Sequence, residues 1–140
     1  MANIIPVALR RIVEQRARFC CEYCRIPQIA AVHRHEPDHI VPIQHGGLTI
    51  ESNLALACLR CNRNKGPNLG SLDPITNQLI AFFNPRIHIW HEHFAFAQGS
   101  ITPLTPEARV TVKILRLNDP ERIAERRILF SAGIMNAYLV

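Results

Sequence analysis

The stretches C-E-Y-C at residues 21–24 and C-L-R-C at residues 58–61 decide how this chain folds. Each stretch is a Cys-x-x-Cys pair, and two such pairs supply the four thiolates of a closed tetrahedral zinc site. Residues 25–57, which separate them, exceed what a compact zinc finger needs. The metal would therefore close a long loop, and the residues within that loop need a functional explanation separate from zinc binding.

That loop carries further spaced polar residues. The sequence D-H-I-V-P occupies residues 38–42, G-G residues 46–47 and N-L residues 53–54, and the second cysteine pair continues as C-N-R-N-K-G through residue 66. This set resembles the HNH endonucleases of the zinc-clamped ββα-metal type, with His39, Asn53 and Asn62 in the three name-giving positions. The last is Asn where the family name has His, a substitution that the family also uses.

The resemblance implies an α+β fold. Its centre would be a ββα-metal, treble-clef-like core at residues 20–67, held by a four-cysteine zinc clamp and preceded by an N-terminal helix. Residues 68–140 would form a small α+β extension, and the whole chain, 1–140, a single domain. The patterns N-P-R-x-x-x-W-x-x-H-F, T-P-x-x-R-x-T-V and L-x-x-N-D-P in the extension resemble the tails of a group of short bacterial HNH proteins. No function follows from that tail.

The same resemblance implies roles for single residues. His39 would be the general base, Asp38 and Asn62 the ligands of a catalytic Mg²⁺ or Mn²⁺, and Asn53 a structural residue that holds His39 in place. Structural zinc would be held by the cysteine pairs, which are Cys21, Cys24, Cys58 and Cys61. Contacts to nucleic acid are expected from residues on and beside the short helix, which are Arg60, Arg63 and Lys65.

The chemistry of phosphodiester hydrolysis agrees with these residue types. A histidine has the near-neutral pKa that a general base needs, and a divalent cation stabilises charge on the phosphoryl group and on the leaving oxygen. Asp38 and His39 are adjacent, so an extended backbone sends their side chains to opposite faces. One can hold a metal while the other faces water. Oxygen ligands suit Mg²⁺ or Mn²⁺.

Several other polar residues leave alternatives open. Glu36 alternates with Asp38 along the strand, so it is either a further ligand or a surface residue. His45 is either a DNA contact or a polar loop residue, and His33 and His35 are expected to be exposed on the strand. A metal cluster at His88, His91 and His93 is less favoured than a core of Trp90 and Phe94 with the histidines around it. Cys20, the fifth cysteine, is expected to be a small buried hydrophobe.

The chain carries a net charge of +5 and a sequence pI of about 9.3, and most of its basic residues are arginines. Such a charge suits DNA as the partner, because arginine binds phosphate bidentately. No run reaches the roughly 20 apolar residues of a membrane span, and the N-terminus lacks a signal peptide's features. We therefore expect a cytoplasmic protein. Nothing here indicates its oligomeric state or which DNA it takes.

Two functions are thus compatible with the sequence. The first is a metal-dependent DNA endonuclease that nicks one strand and leaves 5′-phosphate and 3′-hydroxyl ends. The second is a non-catalytic zinc module that binds nucleic acid or a protein partner. The second has no use for Asp38, His39 and Asn62.

Local patterns predict most of the secondary structure. Pro6 and apolar spacing predict a helix over 6–18, and Thr105-Pro106 and Asp119-Pro120 predict the starts of two more, the first reaching residue 117 and the second running into the 130s. The remaining predicted elements are extended chain over 30–41, a strand Leu54–Ala57, a short helix over 60–65, a linker over 68–77, a strand over 78–83 and a hairpin about Gly99-Ser100.

Overall fold

The computed structural model describes residues 4–135 and shows an α+β fold, as predicted. The helices are α1 (Val7–Arg16), α2 (Leu59–Lys65), α3 (Trp90–His93), α4 (Pro106–Leu115) and α5 (Pro120–Ser131). The strands are β1 (Glu36–His39), β2 (Leu54–Ala57), β3 (Gly70–Leu72), β4 (Leu79–Ala81), β5 (Phe94–Ala97) and β6 (Ser100–Pro103). They pair as three antiparallel hairpins. Within these residues, no helix has the length and apolar character to cross a membrane.

The first hairpin and α2 form the ββα unit. Strand β1 pairs with β2 so that Glu36 lies opposite Ala57 and His39 opposite Leu54. Strand β2 and helix α2 fall where the sequence predicts them. The extended chain expected over 30–41 is paired only over Glu36–His39, because the partner strand β2 is four residues long. The chain that precedes β1 turns through a 3₁₀ segment, Gln28–Ala30.

Helix α1 covers one face of this hairpin. Pro6 is its N-cap rather than a residue of its first turn, and the helix ends at Arg16, two residues before the predicted end. Arg18 and Phe19 have positive φ, which turns the chain into the first cysteine pair. Val13 and Ala17 bury their side chains against Leu54 and Leu56 of β2.

The extension contains more regular structure than its sequence predicts. The expected linker over 68–77 includes β3, and its D-P-I-T-N turn joins β3 to β4: Asp73 accepts hydrogen bonds from Ile75 N and Thr76 Oγ1. The β5–β6 hairpin turns at Gln98 and Gly99, one residue earlier than expected. Thr105 caps α4 through Ala108 N at 3.2 Å. The one-turn helix α3 is not predicted from the sequence.

One hydrophobic core joins the cysteine segment to the extension. Trp90 and Phe94 are buried, as predicted, and they pack in the same cluster as Tyr23 and Ala55. Trp90 Nε1 donates to the carbonyl oxygen of Tyr23 at 2.8 Å, inside the first cysteine pair. The extension therefore supplies the aromatic centre on which the cysteine segment rests.

We expect Trp90→Ala to lower the free energy of unfolding by about 3–5 kcal/mol, because a large buried side chain is lost. Trp90→Phe should cost about 1–3 kcal/mol, mainly for the carbonyl of Tyr23 left without its donor. Both variants should melt in a single transition, measured by calorimetry, because the core is shared. A second transition in which residues of the cysteine segment melt separately would contradict this shared core.

Candidate active site and metal centre

The four cysteines of the two pairs converge at one buried point. The sulfur atoms of Cys21, Cys24, Cys58 and Cys61 all lie within 4.8 Å of one another. Cys24 Sγ and Cys58 Sγ are 3.7 Å apart. Each pair also turns back so that an amide faces its first sulfur, with Cys24 N to Cys21 Sγ and Cys61 N to Cys58 Sγ both at 3.5 Å. The geometry is that of a four-thiolate site, and zinc is the metal that fits it.

The protonation of this cluster depends on the metal. Burial raises the pKa values of the Cys21 and Cys61 thiols well above that of an ordinary cysteine. Zinc binding therefore has to displace protons. Cys20 lies outside the cluster: its Sγ is 3.5 Å from the carbonyl oxygen of Arg18, and burial raises its pKa to about 11. It is the buried non-ligand that the sequence predicts.

Asp38 and Lys65 form a buried ion pair between β1 and α2. Lys65 Nζ lies 3.0 Å from Asp38 Oδ2, and their side chains are 2% and 12% exposed. Burial raises the pKa of the Asp38 carboxyl, and the Lys65 ammonium opposes that rise. Oδ2 has no hydrogen bond of good geometry, and Oδ1 has none in the described part of the chain. Asp38 is thus a largely buried carboxylate whose Oδ2 faces the Lys65 ammonium.

The position of Lys65 corrects one expectation. The predicted phosphate contact requires a surface lysine, but this side chain is buried and donates to the carbonyl oxygen of His39 at 2.9 Å. Its ammonium compensates Asp38 and fixes the end of β1 against α2. A four-carbon stem that reaches inward from the last turn of a helix explains this placement.

His39 is oriented by Thr49, a residue that no motif in the sequence singles out. Its Nε2 lies 2.9 Å from Thr49 Oγ1. Its Nδ1 has no hydrogen-bond partner within residues 4–135, and solvent reaches it. Because Asp38 lies opposite Ala55 and His39 opposite Leu54, the two adjacent side chains leave β1 on opposite faces. One ring nitrogen of His39 is therefore anchored and the other is open.

Asn53 ties together the loop that carries Thr49. Its Oδ1 accepts from Val41 N at 2.9 Å, and its Nδ2 donates to the carbonyl oxygens of Val41 at 3.0 Å and Leu48 at 2.9 Å. Gly47 makes this closure possible, because a Cβ there would lie 1.7 Å from the Val41 oxygen. The bridge across the loop is the one expected of Asn53, while its effect on catalysis stays a prediction.

The predicted site residues on α2 have different surroundings. Asn62 lies one turn before Lys65 on the same helix face, is half-buried, and its side chain makes no hydrogen bond in the described part of the chain. Arg63 is exposed. Arg60 lies towards α5, where its guanidinium is 4.0 Å from Glu125. Of these three residues, only Asn62 shares a helix face with Lys65, the residue that contacts Asp38.

The remaining polar residues resolve mostly into structural roles. Glu36 forms an ion pair with Arg10 of α1. His35 is buried rather than exposed as expected, because its Nε2 bonds to the carbonyl oxygen of Ile26 at 2.9 Å. His45 is an exposed loop residue beside the Pro67 oxygen. His88 and His93 pack on Phe83, and within the described residues only the four cysteines form a metal-ligating cluster.

Comparison with known proteins adds the family. Residues 21–68, about a third of the chain, match the family model described as HNH endonuclease. The chain carries an HNH domain. That domain comprises both cysteine pairs, Asp38, His39 and α2, and it indicates nuclease-type activity on a nucleic acid. No curated protein and no solved structure matches the chain.

We expect Gly47→Ala to abolish the arrangement of Thr49 over His39, because the new Cβ meets the Val41 carbonyl. Gly46→Ala is the matched control: Gly46 has φ +91° but open space around it, so only backbone strain of about 1 kcal/mol follows. Zinc content should stay at one ion per chain in both variants. NMR chemical shifts of the His39 ring should move in Gly47→Ala and hold in Gly46→Ala; equal shifts would contradict the role of Gly47.

Proposed function

We propose that this protein is a metal-dependent DNA endonuclease whose active site is built on Asp38, His39 and Asn62. One observation supports the proposal most strongly. Beside a buried carboxylate at the end of β1, His39 has one ring nitrogen anchored on Thr49 and the other free. A zinc module that only binds a partner has no need of an oriented, half-free imidazole next to a carboxylate.

His39 acts as the general base. When Nε2–H donates to Thr49 Oγ1, the lone pair of the neutral ring lies on Nδ1, which is the atom that takes the proton from the attacking water. Thr49 holds the plane of the ring, and when its hydroxyl accepts from Nε2–H the Nδ1 lone pair is free for the water. Asn53 acts indirectly, because its hydrogen bonds close the loop in which Thr49 lies.

The donor set fits a hard divalent cation. Asp38 offers its Oδ1, since Oδ2 is paired with Lys65, and Asn62 offers an amide oxygen; neither of these two oxygens makes a hydrogen bond in the described part of the chain. These residues would hold Mg²⁺ or Mn²⁺. When bound, the cation stabilises negative charge on the phosphoryl group and on the departing 3′ oxygen. The Lys65 ammonium favours the ionised form of Asp38 and so opposes the rise in pKa that burial causes.

This chemistry sets the expected products. Departure of the 3′ oxygen leaves a 5′-phosphate and a 3′-hydroxyl. One such site cuts one strand, so nicking is the elementary event. The +5 charge and exposed residues such as Arg63 favour the DNA backbone as the surface that is bound. Reduced zinc thiolates and a DNA substrate together agree with the bacterial cytoplasm as its compartment.

The proposal is tested with supercoiled plasmid and the zinc-loaded protein in the presence of Mg²⁺ or Mn²⁺ or of EDTA. The protein should form open-circular product when Mg²⁺ or Mn²⁺ is present and none when EDTA is present. DNA ligase should reseal that product, because ligase requires 5′-phosphate and 3′-hydroxyl ends. DNA binding without any cleavage under all these conditions would favour the non-catalytic zinc module instead.

Removal of the Thr49 hydroxyl should slow cleavage without affecting the fold. We expect Thr49→Val to lower the rate of the chemical step by about ten- to a hundredfold, because the orientation of the His39 ring is no longer held by a hydrogen bond. Thr49→Ser keeps the hydroxyl and should retain most of the rate. The measurement is single-turnover nicking at saturating DNA. Parent-like rates for Thr49→Val would show that His39 needs no anchor.

The two metal sites should fail in different ways. Cys58→Ser should lose zinc and the cooperative thermal transition, because a closed four-thiolate site contributes directly to folding. Asn62→Ala should keep one zinc per chain and a near-parent melting temperature, but require more Mg²⁺ or Mn²⁺ or lose activity. Zinc content by mass spectrometry and melting curves report both outcomes. Loss of zinc from Asn62→Ala, or a parent-like melt of Cys58→Ser, would overturn the division into structural and catalytic metals.

A further inference from the structure

Helix α5 of the extension brings a buried arginine onto the sulfur cluster. Arg122 is 4% exposed, and its Nη2 lies 3.1 Å from Cys61 Sγ and 3.9 Å from Cys58 Sγ. Its Nη1 donates to the carbonyl oxygens of Leu115 at 2.7 Å and Arg116 at 3.2 Å. The guanidinium thus joins the end of α4 to the second cysteine pair.

No carboxylate explains this buried charge. Within residues 4–135, Arg122 forms no ion pair with Asp or Glu. The nearby Glu125 lies beside Arg60 instead. A buried cation without an anionic partner is strongly unfavourable. Backbone carbonyls satisfy part of its hydrogen bonding but carry no net charge, so the compensating charge has to be elsewhere.

The cysteine cluster supplies that charge when it holds zinc. Four thiolates around one Zn²⁺ leave a net charge of about −2 in the core. A second buried arginine, Arg126, is 2% exposed, forms no ion pair with Asp or Glu in the described part of the chain, and donates to the carbonyl oxygens of Gly99 and Leu117. It lines the same cavity, of about 270 Å³, as Cys24, Cys58 and Arg122. Arg122 therefore contacts the sulfur cluster directly, and Arg126 adds a second buried positive charge at the same cavity, which Glu125 also lines.

We propose that Arg122 is a positioning residue of the zinc centre, which donates an N–H···S hydrogen bond to Cys61 and, with Arg126, balances the charge of the zinc thiolates. The extension is then a part of the metal centre, since α5 supplies what the HNH domain lacks. This assignment rests on the zinc site and is independent of whether the protein cleaves DNA.

Arg122 should control how firmly the zinc is held. Loss of such an outer partner typically weakens metal binding by about ten- to a hundredfold. We expect Arg122→Met to release zinc to a chromogenic chelator at least about tenfold faster than the parent protein. Arg127→Met is the matched control, because Arg127 lies on the same helix but is exposed. Its zinc release should equal that of the parent.

A spectroscopic measurement separates this role from a merely structural link between α4 and α5. With Co²⁺ in place of zinc, the sulfur-to-cobalt charge-transfer band reports the electron density on the thiolates. Loss of the N–H···S bond raises that density, so the band should move to longer wavelength in Arg122→Met and stay in place in Arg127→Met. A lower melting temperature with unchanged zinc release and an unchanged band would overturn the proposal.

Arg122→Lys keeps the test decisive if the methionine variant does not fold. Lysine retains the positive charge, but a single ammonium cannot reach the Cys61 sulfur and both carbonyls with the geometry of the guanidinium fork. The lysine variant should release zinc faster than the parent and shift the cobalt band in the same direction. A zinc release rate and a cobalt band equal to those of the parent protein would show that the N–H···S contact has no effect on the metal.

Discussion

The convergence of four cysteine sulfurs on one buried point is the constraint on which the rest of the molecule depends. It fixes residues 21–24 against the first turn of α2, and Cys58 is itself the N-cap of that helix. Every position between the two pairs is thereby confined to a closed loop. The β1–β2 hairpin spans this loop, so the place where β1 ends is determined relative to α2. Asp38 and His39 occupy that place.

The candidate active site follows from this confinement. Lys65 reaches from α2 to Asp38 and to the backbone of His39, which couples helix and strand by one buried ammonium. The loop after β1 returns to the site because Gly47 permits a close backbone approach and Asn53 bridges Val41 and Leu48. Thr49 then meets His39. The cysteine cluster holds the hairpin against α2, and the loop sets the orientation of His39.

Much of this arrangement could be predicted because it depends on local chemistry. The Cys-x-x-Cys spacing predicted the zinc ligands, and the Thr105-Pro106 and Asp119-Pro120 pairs predicted where α4 and α5 begin. Contacts between distant segments could not be predicted in this way. Arg122 lies 61 residues from Cys61, and Thr49 is an ordinary loop threonine until the loop closes. Lys65 and His35 were misplaced for a related reason: a polar residue type predicts exposure unless its buried partner is known.

We propose that His39 is the base of a DNA-cleaving site that the zinc clamp holds in place. The most direct test of this proposal is the single-turnover nicking rate of His39→Ala against the parent, with both proteins at one zinc per chain and at saturating DNA and Mn²⁺. We expect a loss of about a hundredfold or more with unchanged DNA affinity, since general-base catalysis contributes about 10²–10⁴ and phosphate contacts carry the binding. A rate close to that of the parent would contradict it.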